Sequence, residues 1–385
     1  MHETGAAASA GRRGWLAGAT ALAVTPLAAT PAAAQLRGPP RDLALAEPAF
    51  PIPPGFPQPI AVRGNALHFA DGQRAILHGA CIPDVAWIAG RNDRQLGFFD
   101  HRLFGMAAQW GCDMLRLSVM PAIWRRLGEA HALSAIDASI AYARRCGMYV
   151  SICWHGIGFP PEDRYMPLRD LSHGLLFETT TPEMRRFWTR IAQRYGQNPT
   201  VCWFELFNEP QAFQPDGRPV LQHTEAHWLA WRDWAEAMTD AIRQHAPEKT
   251  VVVGGLQFSY DLSFARRLPL RRPNIAYATH PYPNSNWRTP WQRAFLEPAA
   301  ALPVIVSEFG WDHRDHPERA MRGGSRPYRQ EIMEAMDRAG LGWTAWCFSH
   351  AFTPALLANA DFQPSPDFGD AIRAELLRRR RPAGA

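Results

Sequence analysis

WFELFNEP, residues 203–210, sets the apolar side chains of Trp203, Phe204, Leu206 and Phe207 before an amide, a carboxylate and a proline. The apolar part has the length of a strand, and its continuous hydrophobicity is that of a strand covered on both faces. Pro210 ends such a strand because it has no N–H for a central ladder, so Asn208 and Glu209 lie where the chain leaves the core.

Working outward, apolar β-like runs recur at 75–82, 114–120, 148–154, 250–254, 275–279, 304–307 and 342–348, each followed by a helical candidate. The segment 224–246 places Trp228, Trp231, Ala235, Met238 and Ile242 at three- and four-residue intervals, one apolar stripe. Thr181 before Pro182 and Glu183 reads as a helix start, and Gly340 as a helix end. Strands buried on both faces and separated by helices imply a parallel sheet covered on its outer side. Eight such units predict an α/β fold, a closed (β/α)8 barrel in a single domain over residues 61–385. A doubly wound open sheet is the rival, and it brings a glycine-rich phosphate loop that does not follow the first strand here.

The 385 residues are 46% apolar and 20% charged, enough to bury a large core. Net charge is +5, and 40 of the 41 basic residues are arginines spread along the chain, Lys249 being the one lysine. The basic run Arg378–Arg381 reads as the solvated or capping end of a last helix, not as a nucleic-acid surface. Residues 1–34 carry Arg12 and Arg13, a short apolar stretch broken by Pro26 and Pro31, and an alanine-rich end suited to cleavage near Ala34. This resembles a twin-arginine export signal more than a stable membrane anchor, and predicts a periplasmic or secreted protein. Residues 35–60 read as a proline-rich linker. None of the six cysteines falls in a CxxC pair, and several lie in strand-like runs, so buried free thiols are expected over disulfides.

In a parallel barrel, chemistry gathers at the C-terminal ends of the strands. Those ends carry Arg116, His155, Asn208 with Glu209, His280 with Tyr282, Glu308 and Trp346. Two glutamates on strands four and seven fit glycoside hydrolysis, which needs one carboxylic acid to protonate the leaving oxygen and a carboxylate on the other face of the sugar. Arg116 and Tyr282 could hydrogen-bond Glu308 and keep it ionised, whereas Glu209 needs a raised pKa to arrive protonated. Asn208 could bind the sugar 2-hydroxyl, and Trp346 offers a flat face for a pyranose ring. Trp343 and Trp346 are an odd number apart and face opposite ways, and Trp346 is nearer the strand end.

Taken together, WFELFNEP, THPYPN (279–284) and VIVSEFGW (304–311), with Arg116 and His155 upstream and Trp346 downstream, resemble glycoside hydrolase family 5, the cellulase family of a retaining clan of (β/α)8 glycosidases. The resemblance covers roughly residues 65–380. It implies Glu209 as acid/base, Glu308 as nucleophile, and Arg116, His155, Asn208, His280, Tyr282 and Trp346 around the subsite of the cleaved sugar. It implies a monomer acting on an oligo- or polysaccharide, without a metal or other cofactor. The expected activity is a retaining endo-β-1,4-glucanase. An exo-acting β-glucosidase, a β-mannanase or a β-1,3-glucanase would use the same fold.

Each of these residues also has a structural reading. A glutamate at a strand end commonly serves a helix cap or a solvated rim, and a histidine, arginine or tyrosine there can be a satisfied core group. Trp154, Trp287, Trp291 and Trp311 could line outer subsites, but core packing is the default in a chain of 15 tryptophans. Asp84, Asp163, Asp361 and His313 could reach the cleft, and nothing singles one out. HExxH and GxSxG are absent from the sequence, which disfavours metalloprotease-type and serine hydrolysis. A catalytically inactive carbohydrate-binding barrel would keep the tryptophans and lose a glutamate. The loop 156–180, long and mixed in composition, could wall off one end of the cleft and favour exo-action.

Overall fold

Strand and helix alternate as the apolar runs require, in a computed structural model that describes residues 42–170, 172–283, 285, 289–312 and 326–380. The strands are β1 (His78–Ile82), β2 (Met114–Val119), β3 (Tyr149–Trp154), β4 (Val201–Glu205), β5 (Thr250–Gly254), β6 (Ile275–Thr279), β7 (Val304–Val306) and β8 (Trp343–Ala345). Each pairs in parallel with its neighbour in sequence, and β8 returns to β1 to close the barrel. β-Branched and aromatic side chains on the outer face pack beneath the helices. The export-signal segment, the linker up to residue 41, Trp287, His313 and Arg381 lie outside the described residues.

Inward-facing positions form three levels. The floor is apolar, with Leu77, Met114, Trp203, Val252, Ala276 and Ile305 in one cluster. Gly79 in β1 is required here, since a Cβ would meet the Met114 carbonyl oxygen of β2 at 1.8 Å. Above the floor Arg116, Ser151, Ser307 and Thr344 line a cavity of about 10 Å³, and Glu205 accepts from Ser307 at this level. The mouth follows at the strand ends.

Helix ends obey ordinary capping chemistry. Thr180, one residue before the expected start, caps Thr181–Tyr195 by accepting from the Glu183 N–H, and Thr224 caps Glu225–Arg243 in a reciprocal box with His227. Gly340, at φ 62°, ends Arg326–Ala339 in the left-handed conformation that glycine tolerates. Arg380 of the last helix donates to the carbonyls of Gly111 and Cys112, so the basic run docks that helix onto the barrel. Lys249 is buried, its ammonium donating to the Asn198 and Val201 carbonyls, and burial lowers it to about 8.

Residues 42–59 carry no barrel strand yet lie against it: Phe56 packs edge-on to Tyr149 and the Gln58 N–H donates to the Tyr149 hydroxyl. The six cysteines are buried free thiols. The 156–180 segment is built of short strands, and Ile157–Phe159 pairs both with Arg164–Tyr165 and with Glu209–Pro210. Pro210 therefore sits inside a small strand pair; the bonds come from the Glu209 and Gln211 N–H groups on either side, where no proline N–H is needed. No helix among the described residues is long and apolar enough to cross a membrane.

Candidate active site

Arg116 is the organising charge. It projects from β2 into the barrel axis, fully buried, and each face of its guanidinium fork finds an acceptor. Nε and Nη2 donate to Glu205 at 2.7 and 2.9 Å, Nη1 donates to Glu308 at 2.7 Å, and Nη2 also donates to the Asn208 Oδ1 at 2.8 Å. A buried guanidinium in this geometry is held firmly charged by the carboxylates around it.

Glu308 receives a second hydrogen bond from the Tyr282 hydroxyl at 2.9 Å. Burial pushes its carboxyl up to about 7, while Arg116 and Tyr282 pull it down. Burial and the two glutamates keep the Tyr282 phenol protonated, so that it remains a donor. Across the mouth, an oxygen of Glu209 and an oxygen of Glu308 lie within 4.8 Å of each other and of a His280 ring nitrogen. The His280 Nδ1 is 3.1 Å from Glu209 and 3.8 Å from Glu308, and its Nε2 is 3.0 Å from the Ser307 hydroxyl. Burial, with Arg116 nearby, holds both His280 and His155 well below the usual imidazole range, so both are neutral. Glu209 is the more open carboxyl, 13% exposed against 5% for Glu308.

Trp346 stacks on His155 with centroids 4.9 Å apart and an interplanar angle of 17°, its indole N–H donating to the Thr353 carbonyl. It joins Cys81, Tyr282 and Cys347 at the mouth, whereas Trp343 packs outward against Phe309. The eight side chains expected at the strand ends come together at one site, with one correction: Arg116 lies in the middle of β2, fully buried one level below the mouth, and not at the strand end. Trp154 and Trp311 are core residues, and Trp291 packs against Phe295 and Tyr328. Asp84 is buried as a helix cap, accepting from the Trp87 and Met120 N–H groups, and Asp361 is an exposed partner of Arg94. Asp163 sits at the turn closing a short 3-10 helix.

Two residues of the site escape the strand-end reading. Glu205 is the last residue of β4, two residues from Trp203 on the same inward face; the apolar run that continues to Phe207 hides it as a strand end, and a charge in that otherwise apolar run was the available signal. Ser307 donates to it at 2.9 Å. β7 ends at Val306, and past it the pleat is lost, so consecutive Ser307 and Glu308 both face the axis.

A closed parallel barrel with two glutamates facing each other across its C-terminal mouth defines a (β/α)8 glycosidase. The chain belongs to glycosyl hydrolase family 5: the family model, described as cellulase, matches residues 99–352. It is 25% identical over 322 residues to endoglucanase E-5 of Thermobifida fusca, covering 79% of this chain and 58% of that protein. It is 20% identical over 292 residues to endoglucanase N of Pectobacterium atrosepticum, covering 74% and 56%. The chain thus spans a little over half the length of these curated relatives. Among solved structures, the β-glucanase SdGluc5_26A of Saccharophagus degradans is similar at a TM-score of 0.75 and 29% identity, covering 84% of this chain and 94% of that one; it has also been solved with cellotetraose.

Proposed function

We propose that this protein hydrolyses β-linked glucans with retention of anomeric configuration, as an endo-β-1,4-glucanase. The observation that carries the reading is that an oxygen of Glu209 and an oxygen of Glu308 lie within 4.8 Å of each other across the mouth. Retaining enzymes hold these groups about 5–5.5 Å apart, whereas inverting enzymes leave room for a water at about 6.5–9.5 Å. In the first step a Glu308 oxygen bonds to the anomeric carbon as the glycosidic C–O bond breaks, and Glu209 gives its proton to the leaving oxygen. In the second, Glu209 takes a proton from water, the water oxygen bonds to the anomeric carbon, and Glu308 is released.

The surrounding groups fit these steps. Arg116 and Tyr282 stabilise the Glu308 carboxylate, and with Asn208 Oδ1 engaged by Arg116 its NH₂ is the end offered to the sugar 2-hydroxyl. Trp346, braced by His155, serves as the stacking floor. The names of the relatives and the cellotetraose complex of the S. degradans enzyme support a glucan substrate. The arginine pair and alanine-rich end of residues 1–34 support export to the periplasm or beyond.

Proton NMR of the first product on a cello-oligosaccharide tests the mechanism: the β-anomer is expected first, and the α-anomer would overturn it. Reducing-end release across a panel of β-glucans, mannan and xylan tests the substrate.

A further inference from the structure

The segment after β5 holds a conformation that its residues resist. Gln257, Phe258 and Ser259 follow one another at φ 59°, 57° and 58°, and none of them is glycine. An L side chain is crowded in this left-handed region, which residues other than glycine enter singly and not as runs. Such strain persists only where the surrounding contacts over-determine it, and it gathers at functional sites. The contacts here lead to the chain around Glu209.

The Ser259 hydroxyl donates to the Asn208 carbonyl at 2.5 Å, and the Phe258 N–H donates to the Pro210 carbonyl at 3.2 Å. The Ser259 carbonyl in turn accepts from the His280 N–H at 3.1 Å. We propose that Gln257–Ser259 is a positioning turn that fixes the main chain on either side of Glu209, with Ser259 as the positioning residue. This rests on the retaining reading, with Glu209 as acid/base.

The need for such a turn follows from the strands. Beyond β4, the N–H groups of Asn208, Glu209 and Gln211 donate to the carbonyls of Trp154, Gly156 and Gly158, so one edge of the segment is held from the β3 side. On the other side β5 ends at Gly254, and the carbonyls of Asn208 and Pro210 meet the turn in place of a strand. Buried carbonyls left without donors are costly, and the turn brings them one hydroxyl and one N–H. Paired bonds between Leu256 and Asp261 close the turn, and the Thr279 hydroxyl of β6 donates to the Tyr260 carbonyl just after it. Ser259 is fully buried, and it lies so close to Gly254 that a Cβ there would meet its Oγ at 2.1 Å. A hydroxyl seated in this way has little freedom, and neither has the carbonyl it holds. Proton transfer to a leaving oxygen requires the acid within hydrogen-bond reach of it. A shift of the Glu209 backbone is therefore felt where the leaving group needs a proton, and is spared where attack by Glu308 suffices.

The test separates the proton from the nucleophile. Ser259→Ala is expected to lower kcat/KM about tenfold on unactivated cello-oligosaccharide, and to leave it within about twofold of wild type on an aryl glycoside whose leaving group needs no proton. Ser259→Gly, which accepts the left-handed φ but lacks the hydroxyl, should show the same split. Hydrogen exchange of the unmutated protein should find the Phe258 and His280 amides as protected as those of the barrel strands, a readout that needs no variant to fold. Wild-type kcat/KM in both variants, equal losses on the two substrates, or Phe258 and His280 amides that exchange as fast as those of an exposed loop would overturn the proposal while the retaining reading stood. A wild-type enzyme that failed to hydrolyse any β-glucan, or a Glu209→Ala variant of undiminished activity, would instead remove the reading beneath it.

Discussion

The lower and upper halves of the barrel interior are built from the same alternating strand positions and filled by opposite rules. The floor of Leu77, Met114, Trp203, Val252, Ala276 and Ile305 needs only shape, since burying apolar surface is favourable without partners. One step higher, Arg116, Glu205 and Glu308 are charges taken out of water, tolerable only because each has the others and Ser307, Tyr282 and Asn208. The floor can lose an atom and merely weaken. The charged tier fails as a unit.

Removing its hub should produce the largest effect. Arg116→Ala strands Glu205 and Glu308 as uncompensated buried carboxylates, with an expected loss of about 3–5 kcal/mol in denaturant unfolding and no measurable hydrolysis. A variant as stable as the wild type would dissolve the distinction between the two halves. Glu308→Ala and Glu209→Ala should remain folded and lose activity. Removing the acid/base is expected to cost about 10²–10⁴ on polysaccharide, with much of that recovered on aryl glycosides with good leaving groups, whereas Glu308→Ala should recover nothing.

Between them falls the pH response. Burial raises Glu308 to about 7, so its reactive carboxylate is lost as the pH falls through that value, and the acid limb of kcat/KM is expected there. A limb below pH 5 would mean that Arg116 outweighs burial. On the floor, Met114→Ala should cost about 2–5 kcal/mol of stability with kcat per folded molecule unchanged. At the surface, Arg190→Ala, which breaks an exposed pair with Glu129, should change stability by less than about 1 kcal/mol by thermal melting.

How far the sequence discloses this arrangement follows from the same contrast. The barrel was legible because continuous apolar runs and helical stripes repeat along the chain, and runs 250–254 and 275–279 coincide with β5 and β6. The mouth was legible from residue types at strand ends, except that Arg116, expected there, sits inside β2 one level lower. Glu205 was not, because reading the strand as apolar wall passes over the one charge in it, whose meaning depends on Arg116 some ninety residues earlier. Ser307 was hidden by the rule that serves elsewhere: adjacent strand residues face opposite ways, and only the loss of pleat after Val306 turns it inward with Glu308. The short strands at 157–175 were unreadable because their partners are Glu209, Pro210 and each other, a pairing set by tertiary placement.

Lys249 is the chain's one lysine, and its nitrogen is fastened under the barrel by two carbonyls. The exterior is accordingly clothed in guanidinium without any lysine amine. Amine-directed cross-linkers, activated resins and the aldehyde ends of free sugars would find no lysine side chain there to condense with, so attaching this protein to a support calls for chemistry aimed at its carboxylates.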